Sequence, residues 1–417
     1  MSRMVLTYNK FYLTTANGML AFSVLCLYIY VAIFAFPFNV KIDLPLLILA
    51  LASISAALAS LRNSTYINLP FTAPIIFFLI SFGLSCIASE DIRRSMLLSM
   101  HFVPAILLYF LIIKTCNSTR NISNLYLATS FAVLGLGSGL FYAFLTKNAA
   151  GPFGWAVDLG SPIMVVKNDT TFLAVMCPLS LALVYLRPRS IGGMIAALSL
   201  FVAVADMSVF QSRIAVMTLI VSICCFFIGL QKSRASIVCG FALLIIILTV
   251  DCFRDFPLIE RFIRHWDGSG RLPLWMSAWQ MFLASPVVGH GPRTFGMHYS
   301  SYISNHIFPS WLFVDSRFVP WPHNLYFEVL AEQGIIGFVT LATLLYKGLS
   351  ASWNFRRAIA GEPRILGAGL FSALVSFCFA SLFELTFLRQ WVVITFFMIL
   401  ALTAQLSSMV SKKGGPL

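Results

Sequence analysis

Four of the six histidines in this 417-residue chain, His290, His298, His306 and His323, fall between Gly268 and Gly337, with Arg271, Arg293 and Arg317 among them. Imidazole changes protonation near neutrality, at about pH 6.5, and guanidinium is a permanent cation shaped for phosphate or carboxylate oxygens. A stretch that concentrates both can combine proton transfer with anion binding. Within it, Pro320-Trp321-Pro322 is a rigid lead-in that sets His323 and Asn324 at the mouth of an apolar run. Glu328 and Glu332 lie one to three turns deeper. Glu332 either orients an inward-turned imidazole or caps polar groups inside the bundle. His290, His298 and His306 read as ordinary loop polarity, and their separations do not suggest a metal cluster. No metal or cofactor is expected.

A second anion-binding position is spelled by Gln211-Ser212-Arg213, which joins two apolar runs. Ser212 can cap a helix whose first turn carries Arg213, so that free backbone N–H groups, the positive helix end and the guanidinium converge where phosphate oxygens could bind. The alternative is an arginine that simply reaches the membrane interface from a helix end. Lys167-Asn168-Asp169 forms a further polar group before the sixth run.

The elements that must hold these groups are apolar. With 59% hydrophobic and 10% charged residues and a mean hydropathy of +0.89, the chain has more apolar surface than a soluble core can hide. Twelve runs can each be marked as a membrane helix of about 20 residues: 18–37, 43–61, 69–88, 96–114, 124–145, 168–186, 193–209, 212–230, 235–252, 325–346, 366–388 and 390–410. The expectation is an all-α, polytopic membrane protein, organised as helices 1–9 over residues 1–252, a loop over 253–324, and helices 10–12 with a tail over 325–417. These form one integrated unit. The net charge of +13 fits cytoplasmic loops, with no basic-aromatic tract for nucleic acid. Short inner segments outweigh short outer ones in lysine and arginine by roughly two to one, which puts both termini in the cytoplasm and the long loop outside.

That loop is much longer than the other connections, the mark of a functional element. Leu272, Trp275, Met276, Trp279, Phe282 and Leu283 recur in it at helical spacing. Their apolar face would either dip into the outer leaflet or pack on top of the bundle. The nine cysteines lie in or beside apolar runs without Cys-x-x-Cys pairs and read as small core residues. His101, Asp206, Asp251, Glu328, Glu332, Glu384 and Arg389 all sit toward outer helix ends. Transporters place charge at the midplane on broken helices. A boundary location suits chemistry on a lipid-linked head group better than a flippase.

Three signatures occur in order: Ser212-Arg213 heading a helix; Ser269-Gly270-Arg271 with Trp275, then Pro286, Gly289 and Gly291; and His323-Asn324, with Glu332 before Gly334 and Gly337. Together they resemble the O-antigen ligase and polymerase superfamily. The resemblance implies a GT-C-like bundle in the bacterial inner membrane, with a periplasmic active site in the loop between helices 9 and 10. It also implies an inverting glycosyltransferase without metal that takes its glycan from undecaprenyl pyrophosphate. A ligase delivers that glycan to lipid A-core, and a polymerase to another carrier-linked repeat. Carried over, the pyrophosphate falls to Arg213 and Arg271 and acceptor activation to His323, with Arg293, Arg317, Asn324 and Glu332 as supporting or substrate-binding residues. Two fixed guanidiniums can stabilise a departing pyrophosphate, and a histidine can accept the proton of a sugar hydroxyl.

Overall fold

The computed structural model describes residues 2–35, 44–63, 71–146, 166–210, 212–252, 270–306, 312–316, 318–358 and 361–412. Regular structure among them is helical, because apolar runs in hydrocarbon must satisfy their backbone polar groups internally. In chain order the helices are α1 (Ser2–Ile33), α2 (Leu44–Asn63), α3 (Thr72–Ile87), α4 (Ile92–Ser99), α5 (Phe102–Thr115), α6 (Thr119–Thr146), α7 (Val166–Leu186), α8 (Ile191–Val209), α9 (Arg213–Gly229), α10 (Ser233–Cys252), α11 (Arg271–Ala284), α12 (Phe295–Asn305), α13 (Leu325–Ala358), α14 (Glu362–Ser381) and α15 (Gln390–Lys412).

Among the described residues, six segments are long and apolar enough to cross a membrane: Ile92–Thr115, Thr119–Tyr142, Ile191–Val209, Leu325–Arg356, Glu362–Ser381 and Gln390–Ser411. Shorter apolar helices stand beside them. The chain is a polytopic, all-helical membrane protein. Large side chains such as Phe77, Phe201 and Phe241 face outward, as they must where lipid is the solvent. The interior is aromatic and small-residue rich. Phe78, Phe102, Phe387, Phe396 and Phe397 pack edge-on or tilted around the buried half of α15. All nine cysteines are free thiols.

Two expected runs take a different form. The fourth is divided: α4 ends at Ser99 and α5 begins at Phe102, with Asp91 capping α4 by accepting from the Arg94 N–H at 2.9 Å. The tenth extends to Ala358 and is broken inside at Gly334, whose φ of 64° and ψ of −164° are not helical. The loop after α11 crosses the chain at that break. His290 N–H donates to Ala331 O at 3.1 Å and Gly291 N–H to Glu332 O at 2.9 Å, while Ile335 N–H donates to Pro286 O at 2.8 Å. These carbonyls and amides leave the helical ladder and are satisfied by the crossing strand of loop. A Cβ on Gly334 would lie 2.4 Å from Val287 O, and one on Gly289 2.3 Å from the Glu332 carbonyl carbon. Only glycine permits such close backbone approach with φ positive.

The helix expected in the loop is α11, and its tryptophan face divides: Trp275 packs inward while Trp279 faces outward. Leu274, Ala278 and Met281 are buried with Phe295, Tyr299, Val319 and Ala331 in a second small core. Leu272, Met276, Trp279 and Leu283 form an outward stripe. The shift by two positions along the helix rotates the buried side toward α13, the neighbour it packs on.

Candidate active site

The turn between α14 and α15 carries Glu384, a buried carboxylate on which two distant residues converge. Arg271 Nη2 donates to Glu384 Oε2 at 3.1 Å. His323 Nδ1 approaches Glu384 Oε1 at 3.6 Å, longer than a hydrogen bond. The sequence motifs contained both partners but not the residue that joins them.

Each member is placed by a different local device. Arg271 is the first residue of α11, after Gly270 in the left-handed conformation at φ 76°. His323 itself has φ 52°, one of four positive-φ non-glycine residues among those described. Another is Arg293 at φ 68°. Such conformations cost about 1–3 kcal/mol each and persist where surrounding contacts over-determine them. Those contacts are visible around His323. Trp275 Nε1 donates to Pro322 O at 3.1 Å and its ring stacks on Phe327, while Trp321 lies against the imidazole with centroids 5.0 Å apart. The buried Arg389 guanidinium sits over Trp321 at 5.1 Å.

Asn324 caps α13: its Oδ1 accepts from the N–H groups of Tyr326 and Phe327 at 2.9 and 3.0 Å, and its Nδ2 donates to Leu382 O at 3.0 Å. Glu328 Oε1 accepts from Phe387 N–H at 3.0 Å. The two residues thus clamp both sides of the Glu384 turn to the start of α13. Burial alone would raise the Glu384 carboxyl. The approach of His323, followed by the charges of Arg271 and Arg389, more than offsets it and holds the group below the ordinary glutamate value. It is a fixed anion at the bundle end.

Glu332 has a different task from orienting His323. Its carboxylate accepts from the Arg293 N–H at 2.8 Å and the Phe295 N–H at 3.0 Å, so it anchors the turn that heads α12. The Arg293 side chain is exposed.

Arg213 is half-buried at the first position of α9. Ser212 occupies the capping position but makes no side-chain cap hydrogen bond, contrary to the expectation from its residue type. α9 and α14 are antiparallel: Gly229 packs against Ala368, and Ser372 Oγ donates to Ser222 O. This register brings the Arg213 end of α9 to the end of α14 that runs into Glu384. Arg317 lies outside the described residues, as do Ser269 and the side chains of Lys167, Asn168 and Asp169.

The histidines read as scattered loop polarity divide. His306 stacks on Tyr302 with centroids 4.0 Å apart, a local arrangement. His290 and His298 instead converge on Glu90, which belongs to the turn between α3 and α4, and a ligand atom from each of the three lies within 4.8 Å of the others. Their spacing in sequence hid this because the third member is 200 residues away.

Residues 198–342 match the family model described as O-Antigen ligase. A search of curated proteins finds no match. The matched segment contains Arg213, Arg271, Arg293, His323, Asn324 and Glu332, while Glu384 reaches the site from beyond it. The chain thus carries, over residues 198–342, a segment similar to the O-antigen ligase family.

Proposed function

We propose that the protein is an O-antigen ligase, transferring O-antigen polysaccharide from undecaprenyl pyrophosphate to lipid A-core in lipopolysaccharide biosynthesis. The observation that carries this reading is the convergence of Arg271 and His323 on the buried Glu384, within a superfamily that works on lipid-linked glycans. Arg271 gives one N–H to Glu384 and keeps other donors of its five for phosphate oxygens. Arg213, at the same end of the bundle, supplies a second guanidinium, with Arg293 and Arg317 nearby in the chain as further basic groups.

With its Nδ1–H turned toward Glu384, His323 presents the Nε2 lone pair to the acceptor. It takes the proton of the sugar hydroxyl as that oxygen attacks the anomeric carbon from the face opposite the pyrophosphate. The bond from carbon to the phosphate oxygen breaks and the configuration inverts. The negative charge gathered on the leaving undecaprenyl pyrophosphate is met by the two arginines, so the transfer step needs no metal. Twelve helices in a GT-C-like bundle span the inner membrane in this reading, with both termini cytoplasmic and the site at the periplasmic boundary. There the donor's lipid tail and the lipid A-core acceptor both remain in the bilayer. The absence of midplane charge from the sequence pattern weighs against a flippase.

A chromosomal deletion analysed by lipopolysaccharide gel and carrier-lipid extraction tests the assignment. Core-only lipopolysaccharide with long glycan chains retained on undecaprenyl pyrophosphate is the expected result. Cores capped with a single repeat would replace the ligase by a polymerase that joins carrier-linked repeats, an activity the same arginines and histidine could serve.

A further inference from the structure

Glu90, His290 and His298 form a cluster apart from the Arg271–Glu384–His323 group, and nothing in the transfer step uses it. Its frame is built before any ligand arrives. Ser89 Oγ and Ser95 Oγ are 2.7 Å apart, Ser95 Oγ donates to Pro292 O at 2.7 Å, and Glu90 N–H reaches His290 O at 3.4 Å. The α3–α4 turn and the loop after α11 are thereby held face to face.

The side chains on this frame are arranged as ligands. His290 Nε2 lies 3.0 Å from Met281 O. A carbonyl can only accept, so Nε2 carries a proton and Nδ1 is the nitrogen turned to Glu90 Oε1, at 2.8 Å. A ligand histidine held through its second nitrogen by a backbone carbonyl is the usual outer-shell arrangement of metal sites. Nδ1 and a carboxylate oxygen at this distance require a cation between them, either a proton or a metal ion. His298 favours the metal. Its Nε2 is a buried atom and comes within 3.1 Å of Glu90 Oε2, so both imidazoles face the same carboxylate. A single ion between the three side chains would serve His290 Nδ1, His298 Nε2 and the Glu90 carboxylate together. The Glu90 side chain is 54% exposed, so there is a solvent path for the ion and room for water as a fourth ligand.

We propose that Glu90, His290 and His298 bind a zinc ion that pins the α3–α4 turn to the loop bearing Arg293. Two imidazoles and one carboxylate suit zinc or a similar borderline ion, whereas calcium and magnesium prefer all-oxygen sets with more ligands. The site would be structural, outside the transfer chemistry. Its failure would leave the ligase assignment untouched, and the reverse also holds.

The test is isothermal titration of the purified, chelator-stripped full-length protein in detergent with zinc chloride, paired with melting curves. One equivalent should bind and raise the melting temperature, and calcium should do neither. Because loss of an outer-shell partner already costs 10–100-fold in metal affinity, H298A and E90Q should each weaken binding by about 100-fold or more. H306A should bind as the parent does. Circular dichroism and a monodisperse elution profile without zinc establish that the variants fold. Unchanged zinc affinity in folded E90Q and H298A would overturn the proposal, as would a parent protein that takes up no zinc.

Discussion

In the proposed site, Glu384 is the buried residue on which Arg271 and His323 converge. It holds Arg271 by a hydrogen bond and lies beside the His323 ring at the same time. The two kinds of substitution should therefore differ. H323A removes the proposed proton acceptor and should lower the transfer rate by about 10²–10⁴ with donor affinity little changed. E384Q keeps the shape but loses the charge that holds both partners, and should lower kcat/KM by about tenfold or more, or about 1.4 kcal/mol. Full activity in E384Q would show that Arg271 and His323 need no shared anchor. The carboxyl of Glu384 is held below its ordinary value of 4.5. A depressed carboxyl contributes stability above the unfolded value, and that contribution is lost as the pH falls through the folded one. Melting temperatures measured downward from pH 5 should fall less steeply in E384Q than in the parent, and parallel acid limbs would contradict this.

At the scale of elements, the site is assembled where a loop crosses a broken helix. Gly334 interrupts α13 so that the carbonyls of Ala331 and Glu332 can accept from His290 and Gly291. Glu332, two residues earlier, receives the amides that begin α12. Replacing Gly334 by alanine introduces a Cβ that meets Val287 O at 2.4 Å in a left-handed conformation. Strain of this kind costs about 1–3 kcal/mol. G334A should accordingly melt several degrees lower in detergent, and transfer should fall with it, because the crossing loop carries Arg293. Unchanged melting and activity would mean that the crossing tolerates displacement. The Trp275 indole adds a second tie, to Pro322 O, which connects α11 to the residue before His323.

For the whole molecule, the decisive property is which side of the membrane the site faces. Ser304, in α12, and Ser233, at the start of α10, are both exposed, so accessibility to reagent at either depends on sidedness. The native exposed Cys252 would be replaced by serine first. In that background S304C should react with a membrane-impermeant maleimide in intact spheroplasts, and S233C only after permeabilisation. The opposite pattern would invert the topology and place the transfer site in the cytoplasm.

Membrane class and helical content could be read from the chain alone, because hydropathy is summed over about 20 neighbouring residues and needs no partner. The ordered signatures around Arg213, Arg271 and His323 were legible for the same reason: Pro320-Trp321-Pro322 and the glycines act on their immediate backbone. Contacts between distant residues could not be read this way. Glu384 stands 113 residues from Arg271, and among several carboxylates near outer helix ends nothing local distinguished it. By sequence Glu332 could orient His323 or cap polar groups inside the bundle, and the crossing loop decides for the second by offering its carboxylate two amides. His290 and His298 became a cluster only when α3 brought Glu90 beside them. Side-chain type determined what each group could do, while long-range packing decided which group it would do it with, since burial against a specific partner sets both charge and direction.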